Sequence, residues 1–174
     1  MLRVVITGGP ATGKTSLIEA FNKDGYSTYK EAARDIIQEQ LKINSNKLPW
    51  DDVVGFSKLV LTKQTKDYDL ANKDVVFFDR GIPDIIGYMN HGKKTLFNKL
   101  TSSSLTKRYN QVFILPPWEA IYKTDTERRE NFKDAKSIYK EIENAYSLCG
   151  YVPIKVPLDT ISNRVKFILT KLFE

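Results

Sequence analysis

The sequence predicts an α/β fold, a three-layer, doubly wound parallel sheet of five strands, and three observations predict it. Apolar runs at Leu2–Ile6, Asp74–Phe78 and Gln111–Leu115 read as strands buried on both faces. Stretches with apolar residues at helical spacing separate them. The first run leads directly into Gly8-Gly9-Pro10-Ala11-Thr12-Gly13-Lys14-Thr15, which fits G-x-x-x-x-G-K-[ST] without mismatch and opens a helix. Strands alternating with helices imply a parallel sheet covered on both sides. The 174 residues suffice for one domain, 1–174, and no repeat, low-complexity stretch or linker divides them.

In chain order, the helix from Lys14 to Phe21 ends near Gly25, and Tyr26–Tyr29 is a short second strand. From Lys30 the pattern is helical, with Ala33, Ile36, Ile37 and Leu41 on the core side and Glu31, Arg34, Asp35 and Gln38 opposite. Asn44–Pro49 breaks it. Pro49 suits the first turn of a new helix, with Asp51 and Asp52 behind it, running to about Ala71 and burying Val53, Val54, Phe56, Val60 and Leu61. The third strand ends in Asp79-Arg80-Gly81. Pro83 restarts a helix that turns Ile85, Ile86 and Met89 inward and closes at Gly92, and a further helix is expected over Lys94–Leu105, with Leu96, Phe97 and Leu100 apolar. The fourth strand stops at Pro116-Pro117, and a polar, irregular segment follows. Phe132–Leu148 is helical, burying Ala135, Ile138, Ile142 and Ala145. Tyr151–Val156 is a fifth strand at an edge, because it carries Pro153. The last helix carries Ile161, Val165, Ile168, Leu169 and Leu172.

Composition narrows the classes. One cysteine, Cys149, excludes an internal disulfide and a cysteine-rich metal site, which suits a reducing cytoplasm. No run is long enough to span a bilayer, and no signal peptide precedes the first strand. The net charge is +6, but its basic residues are scattered, so the pattern argues against nucleic acid and for a small anionic substrate.

The glycine-rich segment is a phosphate cradle. Its glycines let amide N–H groups close around a polyphosphate, and the following helix N-terminus adds positive potential. Residues Gly8 to Thr15, with Ser16, are therefore expected to bind a nucleoside triphosphate. Lys14 would reach the β- and γ-phosphates and Thr15 would ligate Mg²⁺. Ligands in such sheets lie beyond the carboxyl ends of the strands, which selects Glu31, Asp79 and Arg80. Asp79, at the tip of an apolar strand, is the second Mg²⁺ ligand, or else an ordinary strand-ending acid. Arg80 would hold substrate or phosphate. Glu31 would orient a hydroxyl and accept its proton, with Arg34 holding it, or would simply balance a helix dipole. Arg128 and Arg129 would close over the transferring phosphoryl group from a lid at about 116–131, or form a salt-bridged helix start with Asp125, Glu127 and Glu130. Trp50 and Trp118 border the cleft as base-stacking or packing residues, and His91 reads as a cap or surface residue.

Several segments together, Val4–Thr15, Glu31-Ala-Ala-Arg34, Leu48-Pro-Trp50, Phe77–Asp84, Phe113–Trp118 and Tyr122–Glu130, resemble the NadR-like AAA ATPase domain family. This is a P-loop group similar to nucleoside and nucleotide kinases, and it includes the part of NadR-type proteins that phosphorylates nicotinamide riboside. The resemblance implies the strand order 2-3-1-4-5, the arginine-bearing lid and an adenine site around Val156–Thr160. It also implies that Asp79-Arg80 takes the place of the acid–arginine pair of deoxynucleoside and thymidylate kinases. The expected function is transfer of the γ-phosphoryl of ATP, with Mg²⁺, to a nucleoside-like or nucleotide acceptor. The competing expectation is a nucleotide-dependent switch that binds a protein partner without an acceptor.

Overall fold

The computed structural model describes residues 1–122 and 131–174. Its elements are β1 (Leu2–Gly8), α1 (Lys14–Lys23), β2 (Ser27–Tyr29), α2 (Ala32–Lys42), α3 (Val53–Leu70), β3 (Val75–Asp79), α4 (Ile82–His91), α5 (Asn98–Thr106), β4 (Gln111–Leu115), α6 (Phe132–Leu148), β5 (Ile154–Lys155) and α7 (Ile161–Phe173). The sheet has the order β2-β3-β1-β4-β5, and every pair is parallel. Central β1 is fixed by two neighbours at once, with Ile6 beside Asp79 and Gly8 beside Leu115. This register brings the phosphate-loop entrance, the end of β3 and the end of β4 to one edge.

Alternation explains the layers. Val4 and Ile6 point to one side, with Phe77 and Phe113, and are covered by Leu17, Ile18 and Phe21 of α1 and Ile168 of α7. Phe21 stacks on Phe77 with centroids 3.9 Å apart. Val5, Val76, Phe78, Val112 and Ile114 point to the other side, under Ile138, Ile142 and Tyr146 of α6. A third apolar cluster joins α2, α3, α4 and α5 through Ile36, Phe56, Val60, Met89 and Leu100. Among the described residues no helix is long and apolar enough to cross a membrane.

Four local expectations need correction. Pro49 does not start α3: Asp51 and Asp52 donate their N–H groups to Leu48 O in a separate turn (3.1 and 3.0 Å). Asp52 then caps the helix, its Oδ1 accepting from Gly55 N at 2.8 Å. The buried stripe of α2 is Ala32, Ile36, Ile37 and Gln40, which turns Leu41 to solvent. The helix expected from Lys94 begins at Asn98, so Leu96 and Phe97 reach the helical cluster from the preceding segment. The fifth strand pairs only at Ile154–Lys155, and Val152 is exposed.

Candidate active site

The cradle is built by positions that tolerate little else. At Gly8, φ is +137° and a Cβ would lie 2.4 Å from Leu115 O, so a side chain would collide with β4. Gly13 is left-handed (φ 88°) as it caps α1, a conformation glycine adopts at low cost. Lys14 is buried, and its Nζ donates to Gly9 O at 2.7 Å and to Thr12 Oγ1 at 3.4 Å. Burial, and then the charge of Arg80, lower its pKa to about 7. Pro10, Ala11, Thr12 and Ser16 complete the loop and first helical turn, with Ala11 in the left-handed region at φ 56°.

The strand ends bring Glu31, Asp79 and Arg80 together as the sequence leads one to expect. Arg80 is itself left-handed (φ 73°), a strained state for a non-glycine residue. It is held there from several sides: its N–H donates to Ile6 O (3.0 Å), Nε to Glu31 Oε1 (2.7 Å), and Nη1 to Gly8 O (3.0 Å) and Asp84 Oδ1 (2.9 Å). Arg34 Nε lies 3.7 Å from Glu31 Oε2, one helical turn away. Burial pushes the Glu31 carboxyl up, but Arg80, Lys14 and Arg34 outweigh it and hold the group well below the usual carboxylate range. Asp79 moves the other way, raised to about 7 by burial and by the charge of Glu31.

Asp79 also answers whether a cation fits. Thr15 Oγ1 donates to its Oδ2 at 3.3 Å, while Oδ1 is buried without a hydrogen-bond partner. A buried carboxylate oxygen left unmatched is costly in water-excluded surroundings. Hard oxygen donors from one hydroxyl and one carboxylate suit Mg²⁺, which keeps most of its remaining ligands as water and phosphate.

Two cavities meet at this cluster. One, of about 780 Å³, is lined by Ala11–Ser16, Trp118, Asp159, Thr160 and Arg164. The other, of about 390 Å³, runs between α2, α3 and α4, past Trp50, Phe56, Gln64, Arg80 and Tyr88. Glu31 and Arg34 line both. Of the expected adenine segment, Asp159 and Thr160 face the first cavity, whereas Val156 is buried in the core behind it. Trp118 borders the first cavity and Trp50 the second. His91 ends α4 with Nδ1 3.4 Å from Ser137 Oγ. Arg128 and Arg129 lie outside the described residues.

Three residues escaped the sequence reading. Asp84 is the hub beneath Arg80, accepting from Thr7 Oγ1 (2.6 Å), Arg80 Nη1 (2.9 Å), Gly81 N (3.0 Å) and Tyr146 Oη (2.7 Å). Its spacing from Gly81, at the third position of α4, was a capping signal. Arg164, fully buried, donates from Nη1 to Thr12 O and from Nε to Pro157 O, both at 3.0 Å, beneath the Trp118 ring (4.9 Å). It sits in the apolar stripe between Ile161 and Ile168, where a charge demands a reason. Gln64 likewise continues the buried stripe of α3, four residues after Val60.

The comparisons with known proteins agree with this architecture. A sequence model for the AAA domain family matches residues 3–164. No curated protein matches the sequence. Among solved structures, deoxyadenosine kinase from M. mycoides with bound dATP superposes with a TM-score of 0.74 at 18% identity, covering 100% of both chains. Thymidylate kinase from Candida albicans gives 0.66 at 15% identity, over 98% of this chain and 90% of that one. Shikimate kinase from Acinetobacter baumannii in complex with shikimate gives 0.65 at 14% identity, over 99% and 93%. At these identities the likeness is one of fold: a P-loop, kinase-like sheet.

Proposed function

The chain belongs to the AAA domain family, and from that premise we propose that it is a small-molecule kinase. It transfers the γ-phosphoryl of ATP to a hydroxyl or phosphate oxygen of a nucleoside-like or nucleotide acceptor. One observation carries the reading: Glu31 and Arg34 line both the cavity beside the phosphate cradle and the cavity between the helices. A nucleotide switch needs the first space and has no use for a second one opening on the same carboxylate.

In this reading the cradle amides and Lys14 grip the β- and γ-phosphates. Lys14 leaves Gly9 O for the phosphate, whose charge restores its full protonation. Thr15 and Asp79 would hold Mg²⁺, which would supply charge neutralisation to the phosphates when bound. Glu31 stays ionised under Arg80 and Arg34, so it orients an acceptor hydroxyl from the outset. As the acceptor oxygen bonds to the γ-phosphorus, the bond to the β–γ bridging oxygen breaks and ADP departs. The acceptor proton passes to Glu31 and then to solvent. Arg128 and Arg129, in a lid over about 116–131, are assigned to the transferring group's equatorial oxygens. One domain over 1–174, kinship to NadR-type kinases and a cytoplasmic setting, suited to the single buried thiol of Cys149, belong to the same reading.

The test is an acceptor screen: Mg-ATP with ribo- and deoxyribonucleosides, nicotinamide riboside and nucleoside monophosphates. Turnover should be low with ATP alone and rise strongly with the right acceptor. If none is phosphorylated while Mg-ATP still binds, the kinase reading fails. If calorimetry finds no Mg-ATP heat that Lys14→Ala abolishes, the nucleotide site fails as well.

A further inference from the structure

Position 164 falls in the apolar stripe of α7, yet an arginine stands there, fully buried. It forms no ion pair with any described carboxylate: its bonds from Nη1 and Nε go to carbonyl oxygens, Thr12 O and Pro157 O. The acid whose charge acts on it, Asp159, spends Oδ1 on Thr160 N (2.6 Å) and Asn163 Nδ2 (2.9 Å). A buried charge without a counter-charge is costly. The place it occupies gives the reason. A Cβ built on Gly13 would come 3.2 Å from Arg164 Nη1, so the guanidinium lies directly against the turn that opens α1. A trans peptide is planar, with its C=O and N–H pointing opposite ways. By drawing Thr12 O towards itself, Arg164 turns the N–H of Gly13 away, into the cavity that Thr12, Gly13 and Lys14 line. The Thr12 side chain secures the same residue, its Oγ1 donating to Gly9 O at 3.1 Å. Trp118 covers the guanidinium at 4.9 Å, and Nη2 is buried without a hydrogen-bond partner. Little water therefore reaches this charge to screen it.

Resting on the nucleotide-binding part of the reading above, we propose that Arg164 is a positioning residue for the phosphate cradle. It aims the Gly13 amide at a phosphate oxygen and sets an unscreened positive charge behind that amide. The phosphates of the bound nucleotide are then its counter-charge. Preorganised donors of this kind need no rearrangement when the anion arrives. The feature of the ligand that Arg164 answers is the polyphosphate chain, whatever base or sugar it carries. The carbonyl of Thr12, if released, could turn inward and present an oxygen to the anion in place of a donor.

The experiment measures binding to the intact chain by calorimetry with two probes, Mg-ATP and Mg-tripolyphosphate, and no acceptor. Arg164→Met should raise the Kd of both probes about tenfold and by the same factor, since the interaction lost is with the phosphates. Arg164→Lys keeps the charge and a donor for Thr12 O, and should hold both within about threefold of the wild type. In nuclear magnetic resonance spectra, the Gly13 amide proton of the wild type should move downfield when Mg-tripolyphosphate is added. In Arg164→Met it should stay near its starting position, a selective loss that looser docking of α7 would not produce. A rise in Kd for Mg-ATP alone would assign Arg164 to the base or sugar and overturn the inference. Unchanged Kd values for both probes overturn it too. So does a wild-type Gly13 amide that tripolyphosphate leaves in place, a result that needs no variant to fold. If the expected binding results hold while no acceptor is phosphorylated, the kinase reading fails and this one stands. Binding of neither probe to the wild type overturns both.

Discussion

Replacing Asp84 by Asn tests the hub beneath the site. The variant keeps the shape and swaps one oxygen for an amino group. If the amino group takes the Oδ1 position it faces Thr7 and Arg80 Nη1; if it takes Oδ2 it faces Gly81 N and the Tyr146 hydroxyl. The hydroxyls can turn and accept, but the N–H of Arg80 or of Gly81 cannot, so one buried donor is orphaned at about 1–3 kcal/mol. Arg80 also loses one of its two buried counter-charges, a deletion in the class that costs about 3–5 kcal/mol when no other partner remains. Glu31 still holds Arg80, so about 4 kcal/mol in all is expected. Tyr146→Phe removes one donor and leaves the charges in place, so about 1.5 kcal/mol is expected there. For a chain of this size these losses lower Tm by about 8–16 °C and about 3–6 °C. Urea unfolding and calorimetry of the ligand-free protein check both. An Asp84→Asn loss smaller than that of Tyr146→Phe would refute the assignment of Asp84 as the hub.

Three further outcomes follow from the site. Burial and Glu31 raise Asp79 from 3.8 to about 7. Ionising it therefore opposes folding, and its destabilising effect grows as pH rises through that window. In urea unfolding, ligand-free Asp79→Asn should gain on the wild type between about pH 4 and about pH 7 and level off above, while losing stabilisation by Mg-ATP; a constant difference would contradict the shift. Glu31→Gln should lower kcat by about 10²- to 10⁴-fold while calorimetry shows Mg-ATP binding retained, and an unchanged kcat would remove Glu31 from the chemistry. Arg164→Met keeps the apolar stem but drops the bonds to Thr12 O and Pro157 O. Its Kd for ATP should rise about tenfold, and an unaltered Kd would make the contact purely structural.

The phosphate loop and the meeting of Glu31, Asp79 and Arg80 were legible because each is carried by a local pattern, whereas the strand order came only from the family resemblance. The loop is a spacing of glycines, and the acids stand where apolar runs stop. What stayed hidden depends on which turn of a helix faces which neighbour. Asp84 stands out in no such pattern, because its four donors come from β1, the turn between β3 and α4, and α6. Gln64 and Arg164 interrupt apolar stripes, but their burial shows only in the fold, and the partners of Arg164, Thr12 O and Pro157 O, lie outside α7. The start of α3 was missed for a local reason: Pro49 and Asp52 both signal a helix start, and the cap bond to Gly55 decides between them.

Arg164 joins α7 to Thr12 across 152 positions of sequence. A chain emerging from the ribosome can pair all five strands before that arginine is available, since β5 ends at Lys155. Until α7 docks, the amide nest that follows β1 lacks its clamp. In the kinase reading, nucleotide capture therefore waits for α7, so a copy in which that helix is undocked would carry the sheet and yet hold ATP loosely.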